Sequence, residues 1–244
     1  MAPPDVCVVI PTYNERENLP AVVEAVRAHG YRILIVDDGS PDGTGDLADQ
    51  IAADDPGVSI LHRSEKQGLG RAYGEAFLSL GQSSLEVICQ MDADLSHDPD
   101  DLPALVAAID AGADVAIGSR YVPGGSTPDW PWIRRMISRG GNLYARGLLG
   151  LSTRDATAGY RAWAPTALGV VDPLTAQASG YGFQVEMVRR AESAGLTIAE
   201  VPITFRDRTA GQSKMGMSIV VEAMLLVTGW GMKRAIGKLP FTRP

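Results

Sequence analysis

Short runs of consecutive apolar residues, separated by segments of helical periodicity, constrain the fold of this chain most strongly. Val6–Ile10 and Arg32–Val36 are rich in β-branched residues, and each is followed by a polar cluster and then by a helix pattern. Strands in which apolar and polar residues do not alternate are buried on both faces, which is typical of parallel sheets. The chain is therefore predicted to be an α/β protein in which helices cover both faces of a mostly parallel sheet.

The alternation of strand and helix patterns extends through the first half of the chain. The strands that it predicts are Val6–Ile10, Arg32–Val36, Val58–Leu61, Glu86–Met91 and Asp114–Gly118. The helices predicted between them are Glu15–His29, Thr44–Ala53, Leu69–Leu80 and Asp101–Ala111. The less regular second half is predicted to hold the helices Trp130–Leu149, Gly182–Ala194 and Met217–Ile236 and the strand Thr197–Val201. Since no repeat or linker interrupts the sequence, we expect one domain over residues 1–216, followed over residues 217–244 by an amphipathic helix and tail that is not an independent domain.

Charge is divided unequally between the two halves. Residues 1–118 carry 6 basic and 21 acidic side chains, whereas residues 119–244 carry 16 and 8. Carboxylates suit a divalent cation and arginines suit phosphate groups, although solvated charges distributed by chance are the alternative. The formal net charge of −7 argues against nucleic acid as a partner. Two cysteines and three histidines are present, and their spacing does not match a zinc site.

Acidic residues follow two of the predicted strands. Asp92 and Asp94 come after Glu86–Met91, and Asp37 and Asp38 come after Arg32–Val36. In open parallel sheets, ligands bind at the carboxyl ends of the strands. The first pair is suited to Mg²⁺ or Mn²⁺, and the second to hydrogen bonds from a ribose or a nucleobase. Polar turns that cap the following helices would produce the same patterns.

Eight segments, in order along the chain, resemble the family 2 glycosyltransferases of GT-A type, and more narrowly the polyprenol- and dolichol-phosphate mannose synthases. They are PTYNERENL at 11–19, VDDGSPDGT at 36–44, GLGRAYGEAF at 68–77, MDADLSHDP at 91–99, GSRYVPGG at 118–125, ISRGGN at 137–142, GYGFQVEM at 180–187 and VPITFRDRTAGQSKMG at 201–216. The resemblance implies a Rossmann-like GT-A sheet. It also implies a metal-dependent, inverting enzyme that transfers mannose from GDP-mannose to a polyprenyl (dolichyl-type) phosphate and releases GDP.

The same resemblance implies a set of donor-binding residues. They are Pro11, Tyr13, Glu15, Val36, Asp38, Asp92, Ala93, Asp94, Arg120, Arg208 and Lys214. Asp92 and Asp94 are the expected ligands of Mg²⁺ or Mn²⁺, with Asp94 the principal one, and Arg208 and Lys214 are expected on a mobile loop over the diphosphate. These four are the expected catalytic residues. Some relatives have a glutamine two residues after the second aspartate as a further metal ligand, where this chain has Ser96.

The acceptor is expected to meet the helix Trp130–Leu149. The resemblance implies that Arg134, Ser138 and Arg139 bind the acceptor phosphate. A phosphate monoester has a second pKa of about 6, so it is an anion at pH 7 and needs no general base to become a nucleophile.

Both C-terminal helices have features of helices that lie on a membrane. Trp130–Leu149 carries a stripe of arginines, and Met217–Ile236 is mostly apolar but has a shorter apolar stretch than the roughly 20 residues that span a bilayer. We expect a peripheral contact at the cytoplasmic face of the membrane, together with a separate membrane-protein partner as a further possibility. Ordinary core packing of both helices is the alternative.

Several other functions remain open on the sequence alone. The chain could use another nucleotide sugar, such as UDP-glucose, with the same lipid acceptor, or it could be a non-catalytic subunit that binds nucleotide sugars. A degenerate subunit would be expected to have lost some of Asp92, Asp94, Arg208 and Lys214. A metal-dependent nucleotidyltransferase would carry a glycine-rich and basic loop after its first strand, whereas PTYNE follows Ile10 here.

Overall fold

The computed structural model describes residues 5–64, 68–80, 84–178, 180–207 and 217–237. Within these residues, seven strands form one sheet: β1 (Val6–Thr12), β2 (Arg32–Asp37), β3 (Val58–His62), β4 (Val87–Gln90), β5 (Val115–Ser119), β6 (Arg161–Trp163) and β7 (Ile198–Pro202). Their spatial order is β3-β2-β1-β4-β6-β5-β7. The neighbours pair in parallel except for β6, which runs antiparallel to both β4 and β5. The predicted, mostly parallel α/β sheet is confirmed.

Helices cover both faces of this sheet. They are α1 (Leu19–Ala28), α2 (Thr44–Asp54), α3 (Leu69–Leu80), α4 (Leu102–Asp110), α5 (Trp132–Leu149), α6 (Pro165–Val171), α7 (Gly180–Ser193) and α8 (Met217–Ala235). Two short 3₁₀ turns, Pro99–Asp101 and Pro173–Thr175, precede α4 and α7.

The continuous apolar strands supply both hydrophobic cores. In β1, Cys7 and Val9 pack with residues of α3, α5, α7 and α8, whereas Val8 and Ile10 pack on the other face with residues of α1, α2 and α4. Successive side chains of a strand point to opposite faces, so a strand covered on both sides must be apolar at every position. This geometry accounts for the unbroken apolar runs of the sequence.

Most predicted elements end within one or two residues of their predicted bounds, and larger differences occur at three places. The strand β6 and the helix α6 were not predicted. The first helix begins at Leu19 rather than at Glu15, because residues 14–18 form a turn in which the Glu15 carbonyl accepts hydrogen bonds from the backbone N–H groups of Asn18 and Leu19. The chain at Asn14 has a left-handed backbone, with φ of 56°, which does not fit inside a helix.

The last helix shares the core of the rest of the chain. Val227 and Trp230 of α8 are buried in the same hydrophobic cluster as Ala145 and Leu149 of α5. The predicted division between residues 1–216 and 217–244 falls next to residues that the structure does not describe, and it stays a prediction. Within the described ranges, no helix is long and apolar enough to cross a bilayer.

Candidate active site

A cleft of about 380 Å³ lies at the carboxyl ends of the parallel strands. The polar clusters that follow β1, β2, β4 and β5 all reach it, because parallel strands end at the same edge of a sheet. The predicted site residues that line it are Pro11, Tyr13, Glu15, Asp38, Asp92, Ala93, Asp94, Arg120 and Arg134. Residues more than 100 positions apart in sequence are thus brought to one cavity.

The segment after β4 forms a tight turn with its oxygen atoms towards the cleft. Asp94 is 4% exposed, and one of its carboxylate oxygens accepts a hydrogen bond of 3.1 Å from the backbone N–H of Ser96. Leu95 has a left-handed backbone, with φ of 58°, which makes the turn sharp. The Asp92 side chain remains 38% exposed at the cleft. Asp92 and Asp94 both line the cavity, the first with a partly exposed side chain and the second almost buried.

The hydroxyl of Ser96 is buried beside Asp94 and has no hydrogen-bond partner among the described residues. Ser96 also lines the cleft. A carboxylate pair with an unused hydroxyl oxygen is a set of hard oxygen donors, which is what Mg²⁺ and Mn²⁺ prefer. The residues present therefore fit a divalent cation bound by few protein groups.

His97, which the sequence analysis did not single out, supports this turn. Its Nδ1 accepts a hydrogen bond of 3.2 Å from the backbone N–H of Asp92, and its ring stacks on Tyr160 at 4.7 Å between ring centroids. Burial lowers the pKa of His97 below its ordinary value, although Asp92 and Asp94 act in the opposite direction. The imidazole is therefore neutral at pH 7 and shapes the turn without adding a positive charge.

The two adjacent acids after β2 have different tasks. Asp37 accepts hydrogen bonds from the Ser40 backbone N–H at 3.0 Å and from the Thr12 hydroxyl at 3.2 Å, so its carboxylate is used inside the turn. Asp38 lines the cleft and forms an ion pair with buried Arg63. Asp37 therefore serves the turn itself, whereas Asp38 stands at the cleft, and its expected hydrogen bonds from a ribose or a nucleobase stay a prediction.

Arg63 holds the Asp38 carboxylate in place. Its guanidinium binds Glu75 through two hydrogen bonds, of 2.9 Å from Nε and 3.1 Å from one Nη, while its other Nη donates to Asp38. The hydrogen bonds from Arg63 hold the pKa of Glu75 below its ordinary range. The bidentate pairing with Glu75 fixes the orientation of the Arg63 guanidinium. The guanidinium in turn holds Asp38 in one position at the cleft.

Arg120 lines the cleft, but its charge is paired within the protein. It donates to both carboxylate oxygens of Asp155, from Nε at 2.7 Å and from Nη2 at 2.6 Å, and to the Thr157 hydroxyl at 2.8 Å. Asp155 is fully buried, and its charge raises the pKa of Arg120 although burial acts against it. Asp155, which is 35 residues away in sequence, was not among the predicted site residues.

Of the three predicted acceptor residues, Arg134 lines the cleft, whereas Ser138 and Arg139 both lie beside Tyr121. Arg134 lines the cleft, lies 4.0 Å over the Trp130 ring and forms an ion pair of 2.5 Å with Asp207. Ser138 accepts a hydrogen bond of 2.6 Å from the Tyr121 hydroxyl. Arg139 lines a separate, smaller pocket, whose other lining residues are Tyr121, Asn142, Leu143, Arg146 and Arg154.

One predicted donor-site residue lies away from the cleft, and two are not described by the structure. The Val36 side chain is fully buried in the core under α3, and its carbonyl accepts a hydrogen bond of 3.4 Å from the Thr12 hydroxyl. Arg208 and Lys214 lie outside the part of the chain that the structure describes. Their expected contact with the diphosphate therefore stays a prediction.

A buried arginine lies under the cleft floor. Arg161 of β6 is fully buried, and its guanidinium donates to the backbone carbonyls of Ala156 at 3.2 Å, Ala158 at 2.9 Å and Gln184 at 2.9 Å. Burial lowers the pKa of Arg161 to about 9. These bonds join the loop after Asp155 to the first turns of α7, so one side chain fixes two walls of the cavity relative to each other.

Comparison with known proteins shows to which family the chain belongs. Residues 7–168 match the model of glycosyl transferase family 2. The chain belongs to this family. Polyprenol monophosphomannose synthase of Mycolicibacterium smegmatis is 49% identical over 229 residues, which cover 93% of this chain and 86% of that protein. Undecaprenyl-phosphate mannosyltransferase of Micrococcus luteus is also 49% identical over 229 residues, covering 93% and 94%. The predicted resemblance and the predicted enzyme class are confirmed.

Two solved structures share the fold of the chain. Glucosyl-3-phosphoglycerate synthase from Mycobacterium tuberculosis, in complex with Mn²⁺, UDP and glucosyl-3-phosphoglycerate, superposes with a TM-score of 0.67 and 19% identity over 97% of this chain and 81% of that one. The mannosyltransferase PcManGT from Pyrobaculum calidifontis, in complex with GDP-Man and Mn²⁺, has a TM-score of 0.60 and 16% identity over 96% and 64%. At such identities the likeness concerns the fold, and it confirms the predicted GT-A sheet.

Proposed function

We propose that this family 2 glycosyltransferase transfers mannose from GDP-mannose to a polyprenyl phosphate and releases GDP. The observation that carries the proposal is the division of the cleft into two electrostatic regions. One holds Asp92 and Asp94 with the unused Ser96 hydroxyl, and the other holds Arg134 beside Trp130. The 49% identical relatives, whose names give the mannosyl group and a polyprenyl phosphate, support these two parts of the reaction.

The acidic region is suited to the donor diphosphate. Asp92, Asp94 and Ser96 would hold Mg²⁺ or Mn²⁺, and the bound ion would stabilise the negative charge that develops on the departing diphosphate. Asp38, held by Arg63, offers a fixed acceptor for hydrogen bonds from the guanosine. We retain the prediction that Arg208 and Lys214 add positive charge there, since Asp207, the residue before Arg208, lines the same cleft.

The basic region is suited to the acceptor phosphate. The Arg134 guanidinium lies at the cleft, where an anionic phosphate can replace Asp207 as its partner. The acceptor is already ionised at pH 7, so the chemistry needs no residue to remove a proton. The absence of a required base agrees with the state of His97 in the cleft wall. Its imidazole is neutral and accepts the backbone N–H of Asp92.

Donor selectivity tests this function. With Mn²⁺ present, calorimetry should give a Kd for GDP at least about tenfold lower than for UDP, which corresponds to about 1.4 kcal/mol. GDP-mannose and a short polyprenyl phosphate should yield mannosyl lipid, and UDP-glucose should yield little product. Equal affinities for GDP and UDP would favour the alternative with a UDP-sugar. Tight binding of GDP-mannose without turnover of any acceptor would favour a non-catalytic binding subunit.

We further propose that α5 and α8 lie against a membrane. Large apolar side chains are exposed on both helices: Trp132, Ile133, Met136, Ile137 and Leu143 on α5, and Val221, Met224, Leu225 and Met232 on α8. The pocket that contains Arg139, Arg146 and Arg154 adjoins the exposed Leu143 and is lined by no carboxylate among the described residues. Apolar surface bordered by arginines is typical of helices that bind anionic membranes. The cytoplasmic face and a separate membrane-protein partner stay predictions from the resemblance.

Binding to vesicles tests this surface. Replacing both Ile133 and Ile137 with aspartate should reduce sedimentation with anionic vesicles at least about tenfold, because each inserted side chain contributes up to about 1.5–3 kcal/mol. The matched control is Leu78→Asp, which changes an equally exposed apolar residue on α3. GDP binding should be the same in all three proteins. Loss of vesicle binding in the Leu78 variant, or its retention in the α5 variant, would contradict the proposed orientation.

A further inference from the structure

The side chain of Gln184 is buried in the wall of the cleft. Gln184 lies in the first turns of α7, is 3% exposed and lines the cavity. Neither its Nε2 nor its Oε1 has a hydrogen-bond partner among the residues that the structure describes. A buried amide that forms no hydrogen bonds is unfavourable, because its desolvation is not offset. The protein tolerates this cost at a wall of the cleft, where a bound molecule could supply the missing hydrogen bonds.

The space in front of this amide is bounded by the turn after β4, which contains Asp92 and His97. A methyl group built on Gly159, which also lines the cavity, would lie 3.5 Å from Nε2 of Gln184 and 3.9 Å from Oδ1 of Asp92. It would lie 3.8 Å from the His97 ring. Because Gly159 has no side chain, this volume is open, and atoms placed in it reach the amide and the Asp92 carboxylate together.

The backbone on both sides of this space is held in place. Arg161 binds the carbonyl of Ala158, next to Gly159, and the carbonyl of Gln184 itself. Glu186 accepts hydrogen bonds of 3.0 Å from the backbone N–H groups of Gln177 and Ala178, which lead into α7. The amide is therefore presented to the cavity by a rigid support, which is how a specific recognition group is positioned.

We propose that the Gln184 amide binds a hydroxyl group of the transferred sugar, in a subsite bounded by Gly159, His97 and Asp92. This inference rests on the proposed function, because it places the hexose of the nucleotide sugar beside the metal-binding turn. A hydroxyl both donates and accepts, and a primary amide offers Oε1 and Nε2 to match it. The amide also adds no negative charge next to Asp92 and Asp94, where a carboxylate would repel the donor diphosphate.

Binding measurements isolate this contact from catalysis. In calorimetry with Mn²⁺ and no acceptor, Gln184→Ala should weaken GDP-mannose binding by about 10- to 100-fold, the range for loss of one buried hydrogen bond and the group left unpaired. Its effect on GDP, which lacks the sugar, should be less than twofold. Gln177→Ala, which changes an exposed glutamine before the same helix, is the control and should affect neither ligand. Equal weakening of GDP and GDP-mannose by Gln184→Ala, or no weakening of either, would overturn the proposal.

Deoxy donors identify the hydroxyl. Among GDP-mannose analogues that each lack one hydroxyl group, one should bind the wild-type protein and Gln184→Ala with equal affinity, because the contact is absent from both complexes. If the variant binds every analogue more weakly than the wild type by one constant factor, the side chain acts through the shape of the cavity and the proposal is wrong.

Two further variants separate recognition from folding. Gly159→Ala should retain the wild-type melting temperature, because its methyl group makes only ordinary contacts, yet it should weaken GDP-mannose and not GDP. Gln184→Leu should melt at or above the wild-type temperature while losing sugar affinity, because it removes an unpartnered amide. A marked drop in the melting temperature of Gln184→Leu would show that the amide is a structural group and would overturn the proposal.

The proposed function and this inference fail in different ways. If the wild-type protein binds GDP-mannose but forms no mannosyl lipid, the transfer reaction is wrong, and the comparison of GDP-mannose with GDP still decides the role of Gln184. If the chain binds UDP-glucose and UDP instead, the same two affinities are compared for that pair.

Discussion

Replacing Asp94 with asparagine should lower kcat at least about 10³-fold, because the loss of the negative ligand removes the charge stabilisation that the departing diphosphate requires. Asparagine keeps the oxygen that accepts the Ser96 backbone N–H, so the turn should survive. The melting temperature should therefore change little. Asp94→Ala should be equally inactive, and Asp92→Ala should also be severely impaired.

Steady-state kinetics across a range of Mn²⁺ and Mg²⁺ concentrations check this result. The variant should require more metal for half-maximal activity and should not recover full kcat at saturation. Asp100→Asn, which removes a carboxylate from the exposed turn just beyond this site, is the matched control and should be close to wild type. An Asp94→Asn enzyme with near-normal kcat at saturating metal would show that Asp94 does not hold the ion.

Replacing Asp155 with alanine should lower the free energy of unfolding by about 3–5 kcal/mol, because it leaves the buried Arg120 guanidinium without a counterion. Asp155 is 0% and Arg120 7% exposed, so water cannot replace the lost partner. For a chain of this size the melting temperature should fall by roughly 10 °C. Thermal unfolding followed by circular dichroism measures the change.

An exposed ion pair beside the starts of β1 and β2 provides the comparison. Asp5 and Arg32 are 2.5 Å apart with side chains 42% and 46% exposed, so Asp5→Ala should cost less than about 1 kcal/mol. Equal losses from Asp5→Ala and Asp155→Ala would contradict the role of burial. The double variant Arg120→Met with Asp155→Leu should regain most of the stability. If it also regained activity, Arg120 would have no contact with the donor.

Much of the sheet edge that forms the cleft could be predicted from the sequence, because the patterns that mark strands and strand ends are local. Continuous apolar runs identified β1 and β2, and the polar residues that follow each strand had to meet at one edge of a parallel sheet. Asp92, Asp94 and Asp38 were found in this way, and all three line the cleft. The expected helix on which Arg134 lies was also correct in position, apart from its first residues.

The partners of these residues depended on contacts that no local pattern reports. Asp155 pairs with Arg120 across 35 residues, and Arg161 reaches α7 from the strand β6, which is three residues long and was not predicted. Gln184 occupies an ordinary position in a helical segment, and only the assembled cavity wall shows that its amide has no hydrogen-bond partner among the described residues. The sequence by itself thus determined which acidic groups stand at the ends of the strands, since strand periodicity is local. Only the tertiary structure decided which charges are neutralised and which polar groups face the cavity unpaired, because burial and long-range pairing arise when distant segments pack together.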